Sequence, residues 1–277
     1  MSRGVPGTLR IGVVNWNDRT DPHAGGAEVH IHEIFKRIAS MGHEVTLICN
    51  RHRAAARRDQ IDGMRVIRVG SRNTFNYHVP LAYYRHLRGR VDVIVDALNK
   101  LPLMLPLFSK EPVVAVVHHL FGATAFHEMS SLAAIYVGFF ESFVPRVYRD
   151  SLIEVISEST REDLHLRGAT NDRNIRTVFC GLDQDLYCAA TDPSAGRDER
   201  PMLLFLGRIK RYKSVETIIE AMARVRGEIG NAHLVIAGEG DDVPRLRGIA
   251  AASGWSDDVV RFAGEVSDAE KVGLYRR

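Results

Sequence analysis

The sequence predicts an α/β protein built on parallel sheets, and three observations carry that prediction. Short β-branched apolar runs alternate with helix-period segments from one end of the chain to the other. The runs in the body of the first half are near-continuous in their apolar character, as in strands covered on both faces. Gly42-His43 closes the first helical pattern and a strand pattern follows at once, giving a βαβ unit whose two strands must run parallel.

Taken in order, Arg10-Ile11-Gly12-Val13-Val14-Asn15 is the first strand. Ala27, Ile31, Ile34, Phe35 and Ile38 then recur on one face of a helix from Gly26 to Met41, and Glu44–Cys49 is the second strand. Further strands are expected at Met64–Val69, Val91–Asp96, Val113–Val117, Asp150–Ile156 and Ile175–Phe179. These seven strands make one doubly wound domain over residues 1–188. The longest apolar stretch, Leu132–Phe140, is interrupted by Gly138 and followed by Glu141. It is far short of the roughly 20 residues that cross a bilayer, and reads as a buried helix rather than a membrane-seeking one. Residues 189–201 are polar, hold proline and glycine and lack periodicity, which is the pattern of a linker. The α/β rhythm resumes over residues 202–277, with strands at Met202–Leu206, His233–Ala237 and Val259–Ala263. A helix face runs through Val215, Ile218, Ile219, Met222 and Val225, and helices follow at Val243–Ala252 and Asp268–Arg277. Three strands and three helices are half of a doubly wound domain, so an incomplete second domain is expected, with an uncovered sheet edge.

Composition narrows the function. Among the 277 residues 45% are apolar and 26% charged, with a formal net charge of +3. That balance belongs to a soluble globular protein, and the basic excess is too small to argue for nucleic acid. Cys49, Cys180 and Cys188 are odd in number and sparse, which fits a reducing, cytoplasmic setting and no disulfide framework. No secretory apolar segment opens the chain. The run Arg51-His52-Arg53 to Arg57-Arg58 reads as a solvated loop, with contact to anionic lipid at the inner face of a membrane as a second reading.

The candidate chemistry lies where strands end. Ala24-Gly25-Gly26-Ala27-Glu28 joins the first strand to the first helix, and its glycines and first-turn amides suit an anion such as a diphosphate; a plain turn would look similar. Gly207-Arg208-Ile209-Lys210-Arg211-Tyr212-Lys213 follows the first strand of the second part, and a guanidinium fork with a lysine point charge can hold a diphosphate, although a solvated basic loop reads the same way. His118 and His119 follow the strand Val113–Val117, a position that is as often structural as functional. Gly238-Glu239-Gly240 is a further strand-end turn able to meet a nucleoside. Asp96 and Asp241-Asp242 lack metal-ligand spacing, so no metal site is expected.

Gly25-Gly26-Ala27-Glu28, Gly42-His43-Glu44-Val45, His118, Ser157-Glu158-Ser159-Thr160, Gly181-Leu182-Asp183, Gly207-Arg208 with Lys213, and Ala237-Gly238-Glu239-Gly240 occur in an order that resembles glycosyltransferase family 4, of the GT-B fold. The resemblance runs over nearly the whole chain. It implies two Rossmann-like domains facing a cleft, the first for the acceptor and the second for a nucleotide diphosphate sugar. It also implies transfer of a hexose with retention of configuration, no strict dependence on a metal and no cofactor beyond the donor itself. The acceptor would be a glycan, a lipid-linked sugar or a small molecule, in cell-surface glycan or glycolipid synthesis. By resemblance, Gly25, Gly26, Arg208 and Lys213 hold the donor diphosphate, His118 sits beside the transferred sugar, and Gly238 and Glu239 lie near the nucleoside. Ser214 stands where the family has a glycine. The family's paired glutamates are not found before Arg277, so the chain is expected to be C-terminally truncated and could be an inactive fragment. Two other readings are a non-catalytic remnant that binds an acceptor or partner, and a sugar-nucleotide epimerase of the same fold.

Overall fold

The computed structural model describes residues 7–53, 55–98, 101–128, 130–169, 171–187 and 197–277. The chain divides into two compact units, residues 1–180 and 181–277. Most of the expected linker, and Cys188, lie outside the described residues.

The first unit holds eight strands: β1 (Arg10–Val14), β2 (Glu44–Asn50), β3 (Arg58–Ile61), β4 (Met64–Val69), β5 (Val93–Leu98), β6 (Val113–Val117), β7 (Leu152–Val155) and β8 (Ile175–Thr177). They form one sheet in the order β3-β4-β2-β1-β5-β6-β7-β8. Every neighbouring pair is parallel except β3 with β4. The helices are α1 (Gly26–Ser40), α2 (Phe75–His86), α3 (Ala125–Glu128), α4 (Ser131–Glu141), α5 (Val144–Val147) and α6 (Glu158–Leu166). Both faces of the sheet are covered, which is why its central strands have no polar alternation. On β1, Val13 packs with Ile31 and Phe35 of α1, whereas the next residue, Val14, packs with Phe75 and Tyr83 of α2. Each fully buried Val, Leu, Ile or Phe contributes about 1.5–3 kcal/mol through loss of hydrated apolar surface. The strand order turns back between β1 and β5, and the carboxyl ends there are where sheets of this kind bind ligands.

Several expectations need correction. The basic run ending at Arg58 is not wholly a loop, because Arg58–Ile61 forms β3 on the sheet edge. It pairs with β4 through Asp62-Gly63, whose φ of 54° and 78° are the left-handed pair that a two-residue hairpin requires. The expected strand at Val91–Asp96 lies two residues later, since Val91 packs into the core ahead of β5 and pairing continues through Ala97-Leu98. The apolar stretch 132–140 does form a helix, α4, but the helix is not buried all round. Ala134, Val137 and Glu141 face inward, while Leu132, Ile135, Tyr136 and Phe139 are exposed. Among the described residues no helix is long and apolar enough to cross a membrane.

The second unit holds β9 (Met202–Leu206), β10 (His233–Ala237) and β11 (Val260–Gly264), all parallel in the order β11-β10-β9. With them come α7 (Val215–Glu228), α8 (Val243–Ala252) and α9 (Asp268–Arg276). Ile219 and Met222 of α7 and Leu246 of α8 close on Leu234 and Ile236 of β10, forming a separate core.

Candidate functional site

In the first unit the carboxyl ends of β1, β6 and β7 are laced together by side chains. After β1 the chain turns through Asn15, Asn17 and Asp18, all buried. Asn15 donates from Nδ2 to the Asn17 carbonyl at 2.8 Å, and Asn50, at the end of β2, donates to Asn17 Oδ1 at 2.6 Å. Asn17 Nδ2 donates in turn to Glu28 Oε1 at 2.9 Å, and the second oxygen of Glu28 accepts the Gly25 amide at 2.7 Å. Glu28 therefore fixes the approach to α1 from inside its own first turn. Gly25 spends its amide on Glu28, so the donors that α1 offers an anion are the amides of Gly26 and Ala27, which have no intrahelical acceptor. Gly26 is exposed, and a Cβ built on it would meet nothing within 4 Å.

One turn beyond Gly26, His30 reaches the end of β6. Its Nδ1 lies 3.0 Å from Nε2 of His118, and the rings cross nearly at right angles. One ring donates and the other accepts, so the contact requires that the two are not both cationic. Burial, then the neighbouring charges of His30 and His119, lowers the His118 pKa to about 4; burial lowers that of His30 as well. Both rings are neutral at pH 7. The His118 carbonyl accepts the Thr160 hydroxyl at 3.2 Å, and Ser157 Oγ accepts the Thr160 amide as the N-cap of α6. The expected site residues Gly25, Gly26 and His118 are thus brought into neighbouring loops, with Ser157–Thr160 beside them. His119 is exposed and its ring stands against Phe121. Sequence reasoning missed His30, Asn17 and Asn50. The spacing of His30 four residues after Gly26, on the turn facing the same end of the sheet, is the signal that could have found it.

Beside this network a buried ion pair closes the loop after β1. Arg68 Nε of β4 donates to Asp18 Oδ2 at 2.6 Å, and Thr20 adds a hydroxyl and an amide to Oδ1 of the same carboxylate. Burial alone would raise the Asp18 pKa, but these hydrogen bonds and the Arg68 charge bring it down to about 2. Within β5, Asp96 is fully buried and accepts the Tyr148 hydroxyl; burial raises its pKa to about 7.

The second unit is organised differently. The loops after β9 and β10 run side by side and exchange backbone bonds: Gly207 donates to the Ala237 carbonyl at 3.0 Å and Ile209 to Glu239 at 2.9 Å, and Gly238 donates to Gly264 at 2.7 Å. No side chain fits between them. A Cβ on Gly238 would stand 2.0 Å from the Gly207 carbonyl oxygen, and one on Gly240 would stand 1.7 Å from that of Ile209. Arg208, Lys213 and Glu239 are exposed at this end of the sheet. Lys213 sits over the Tyr212 ring at 5.1 Å, whereas Lys210 between them pairs with Asp241 at 2.7 Å. Ser214, at the N-cap of α7, has the left-handed φ of 49°. Among the described residues no group of three His, Cys, Asp or Glu side chains is placed to hold a metal ion.

Comparison with known proteins matches both units. Residues 24–186 match the family model of Glycosyltransferase Family 4, and residues 189–277 match that of Glycosyl transferases group 1. The chain belongs to glycosyltransferase family 4. It is 41% identical over 81 residues to an alpha-D-kanosaminyltransferase of Streptomyces kanamyceticus, a match covering 29% of this chain and 21% of that protein. It is 28% identical over 138 residues to an uncharacterized glycosyltransferase of Methanocaldococcus jannaschii, covering 47% of this chain and 35% of that one. These matches span about a fifth and a third of the relatives' own lengths. Among solved structures, Anabaena HepE in complex with UDP and glucose superposes with a TM-score of 0.67 at 14% identity, over 97% of this chain and 72% of HepE. WaaG, a glycosyltransferase involved in lipopolysaccharide biosynthesis, gives 0.68 at 15% identity, over 95% of this chain and 72% of WaaG. The fold is GT-B, with a larger parallel-rich sheet and a smaller second one.

Proposed function

We propose that this chain works in a glycosyltransferase that moves a hexose from a nucleoside diphosphate sugar to a glycan, lipid-linked or small-molecule acceptor, with retention of configuration. The observation that carries the reading is the linked set at the strand ends of the first unit, where the front of α1, the His30–His118 pair and Ser157–Thr160 are joined through hydrogen bonds. A neutral imidazole suits recognition of sugar hydroxyls, which need paired donors and acceptors and no net charge. In this reading Arg208 and Lys213 carry the donor diphosphate. As the glycosidic bond breaks, negative charge gathers on the leaving phosphate, and a guanidinium fork with an ammonium stabilises that charge more than the ground state. Gly26 and the residue after it offer amides to the same class of anion, with Gly25 holding their turn through Glu28. Gly238 and Glu239 fall to the nucleoside. The UDP held by HepE favours a uridine nucleotide, and WaaG's part in lipopolysaccharide synthesis favours a cell-surface glycan as product and the cytoplasmic face as the place of work.

The test is donor binding, followed by product analysis. UDP-glucose and other nucleotide sugars are titrated against the chain by calorimetry, with Arg208→Ala and Lys213→Ala in parallel. Losing one charge-assisted contact to phosphate should weaken binding by about 10- to 100-fold. If no nucleotide sugar binds, or both variants bind as the parent does, the reading is wrong. Where transfer is seen, NMR of the anomeric proton reads retention directly.

A further inference from the structure

A neutral imidazole offers a hydroxyl either a bare nitrogen or an N–H, and which of these His118 offers depends on where its proton sits. Its surroundings limit the choice. The backbone of His118 is held by Thr160, whose hydroxyl donates to its carbonyl at 3.2 Å, and its ring meets His30, with Nε2 3.0 Å from His30 Nδ1. The rings stand at 85° with centroids 5.0 Å apart, so neither can turn without losing the contact. His30 sits on a helix whose head is braced by Glu28, which takes Asn17 Nδ2 and the Gly25 amide. Among the described residues no carboxylate bonds either ring. Nδ1 of His118 bonds no protein group there, yet it is not sealed from solvent, in contrast with Nδ1 of His233, which is buried and unpaired.

Two arrangements make the contact between neutral rings. Either His118 Nε2–H donates to a bare His30 Nδ1, or His30 Nδ1–H donates to a bare His118 Nε2. In the first, both rings are the Nε2–H tautomer, the form that a neutral histidine side chain prefers on its own. In the second, both must be Nδ1–H, and the His118 N–H then has no protein acceptor. The first is favoured on both counts.

We propose that His30 is a positioning residue: it accepts the Nε2–H of His118 and so keeps His118 Nδ1 bare, ready to accept a hydroxyl of the donor sugar. This rests on the reading of His118 as the residue beside that sugar. His30 acts through His118 and needs no contact with the ligand. Burial keeps both rings neutral at pH 7, as the arrangement requires.

The tautomer is read by long-range proton–nitrogen NMR on the chain carrying labelled histidine, near pH 7 and without any ligand. The His118 signals are those that vanish in His118→Gln, and they should show the Nε2–H pattern. His30→Leu removes the acceptor and should give the averaged pattern of mixed tautomers. His30→Asn keeps an acceptor oxygen near the same place and should restore the parent pattern. Calorimetry supplies the second readout. His30→Leu should weaken UDP-glucose binding by about 2- to 10-fold, leave UDP binding as it is, and cost nothing more in a His118→Gln background. Circular dichroism with urea unfolding checks that the variants fold, and the parent spectrum decides even where His30→Leu does not. An Nδ1–H pattern in the parent, an unchanged pattern in His30→Leu, or equal losses with and without His118 would each overturn the assignment and leave the transferase reading intact. A parent that binds no nucleotide sugar sinks the transferase reading, and the part given to Nδ1 goes with it.

Discussion

The two units solve the same problem, holding loops at the carboxyl ends of parallel strands, by opposite means. In the first, side chains do it: Asn17 and Glu28 brace the turn before α1, His30 reaches His118, and Arg68 holds Asp18. In the second, backbone meets backbone directly, with Gly238 and Gly240 packed where a Cβ would overlap a carbonyl oxygen. A loop held by side chains can be loosened by pH, because several of those groups titrate. A loop held by bare backbone is sensitive to a single methyl group.

The largest effect expected from this contrast is at Gly240. Alanine there would place its Cβ 1.7 Å from the Ile209 carbonyl oxygen, and relief requires the β9 and β10 loops to part. The displacement breaks the Ile209–Glu239 bond and disturbs the backbone on either side of Arg208. Gly240→Ala should destabilise the second unit by about 3 kcal/mol or more, read as an earlier urea transition for that unit. Gly248→Ala is the matched control: it lies inside α8 with nothing within 4 Å of the new Cβ, and should be neutral or stabilising by about 0.5–1 kcal/mol. Equal effects from the two substitutions would remove the distinction between the units.

The side-chain network predicts an acid response. Burial holds the His118 pKa near 4, below its ordinary value of about 6.5. Below pH 6.5 the unfolded chain takes up a proton that the folded chain refuses until pH approaches 4. Stability should therefore fall across that window and then level, by about 3 kcal/mol for this group. His30 adds to it in the same direction. Urea midpoints measured from pH 7 downward check the sign, and His118→Gln should flatten the slope between pH 6.5 and 4. An unchanged slope in that variant would mean that His118 is not the group refusing the proton.

What could be read from the sequence follows the same division. The parallel α/β architecture was legible because strands covered on both faces are written as unbroken apolar runs, and Gly42-His43 marks its boundary plainly. The β3–β4 hairpin carried a local signal in Asp62-Gly63, but β3 itself is polar and exposed, so no apolar pattern announced it. The α2 helix was hidden by Pro80 in its interior and by its exposed Tyr77, Leu81 and Tyr84. Composition named α4 as apolar but could not say that one side faces water, since the stripe is visible only once the inward side is known. Gly25, Gly26, His118, Arg208 and Lys213 stood out by their places after strands. Asn17 and Asn50 did not, because a side-chain hydrogen bond between two loops leaves no trace in spacing, and His30 carried only its place one turn after Gly26. Nor does the sequence show that Gly238 and Gly240 are glycine for want of room; that depends on how closely two strand-end loops approach.

The smallest effect, and a useful one, concerns Ser214. It holds the left-handed conformation at the head of α7, with φ 49° and ψ 42°, and its side chain makes no capping hydrogen bond. An L-residue in that region is strained by about 1–2 kcal/mol through contact of its Cβ with the backbone, and glycine escapes the strain. Glycine also gives the unfolded chain more freedom, which returns about 0.4–1 kcal/mol of that gain. Ser214→Gly should therefore stabilise the second unit by about 0.5 kcal/mol, visible as a small rise in its urea midpoint with an unchanged slope. The sign is what matters, because adding glycine at Ser214 and removing it at Gly240 test one idea from both directions: this end of the second sheet is limited by space at Cβ. A loss of stability in Ser214→Gly would show that the serine hydroxyl holds the loop after all, and would make the second unit resemble the first.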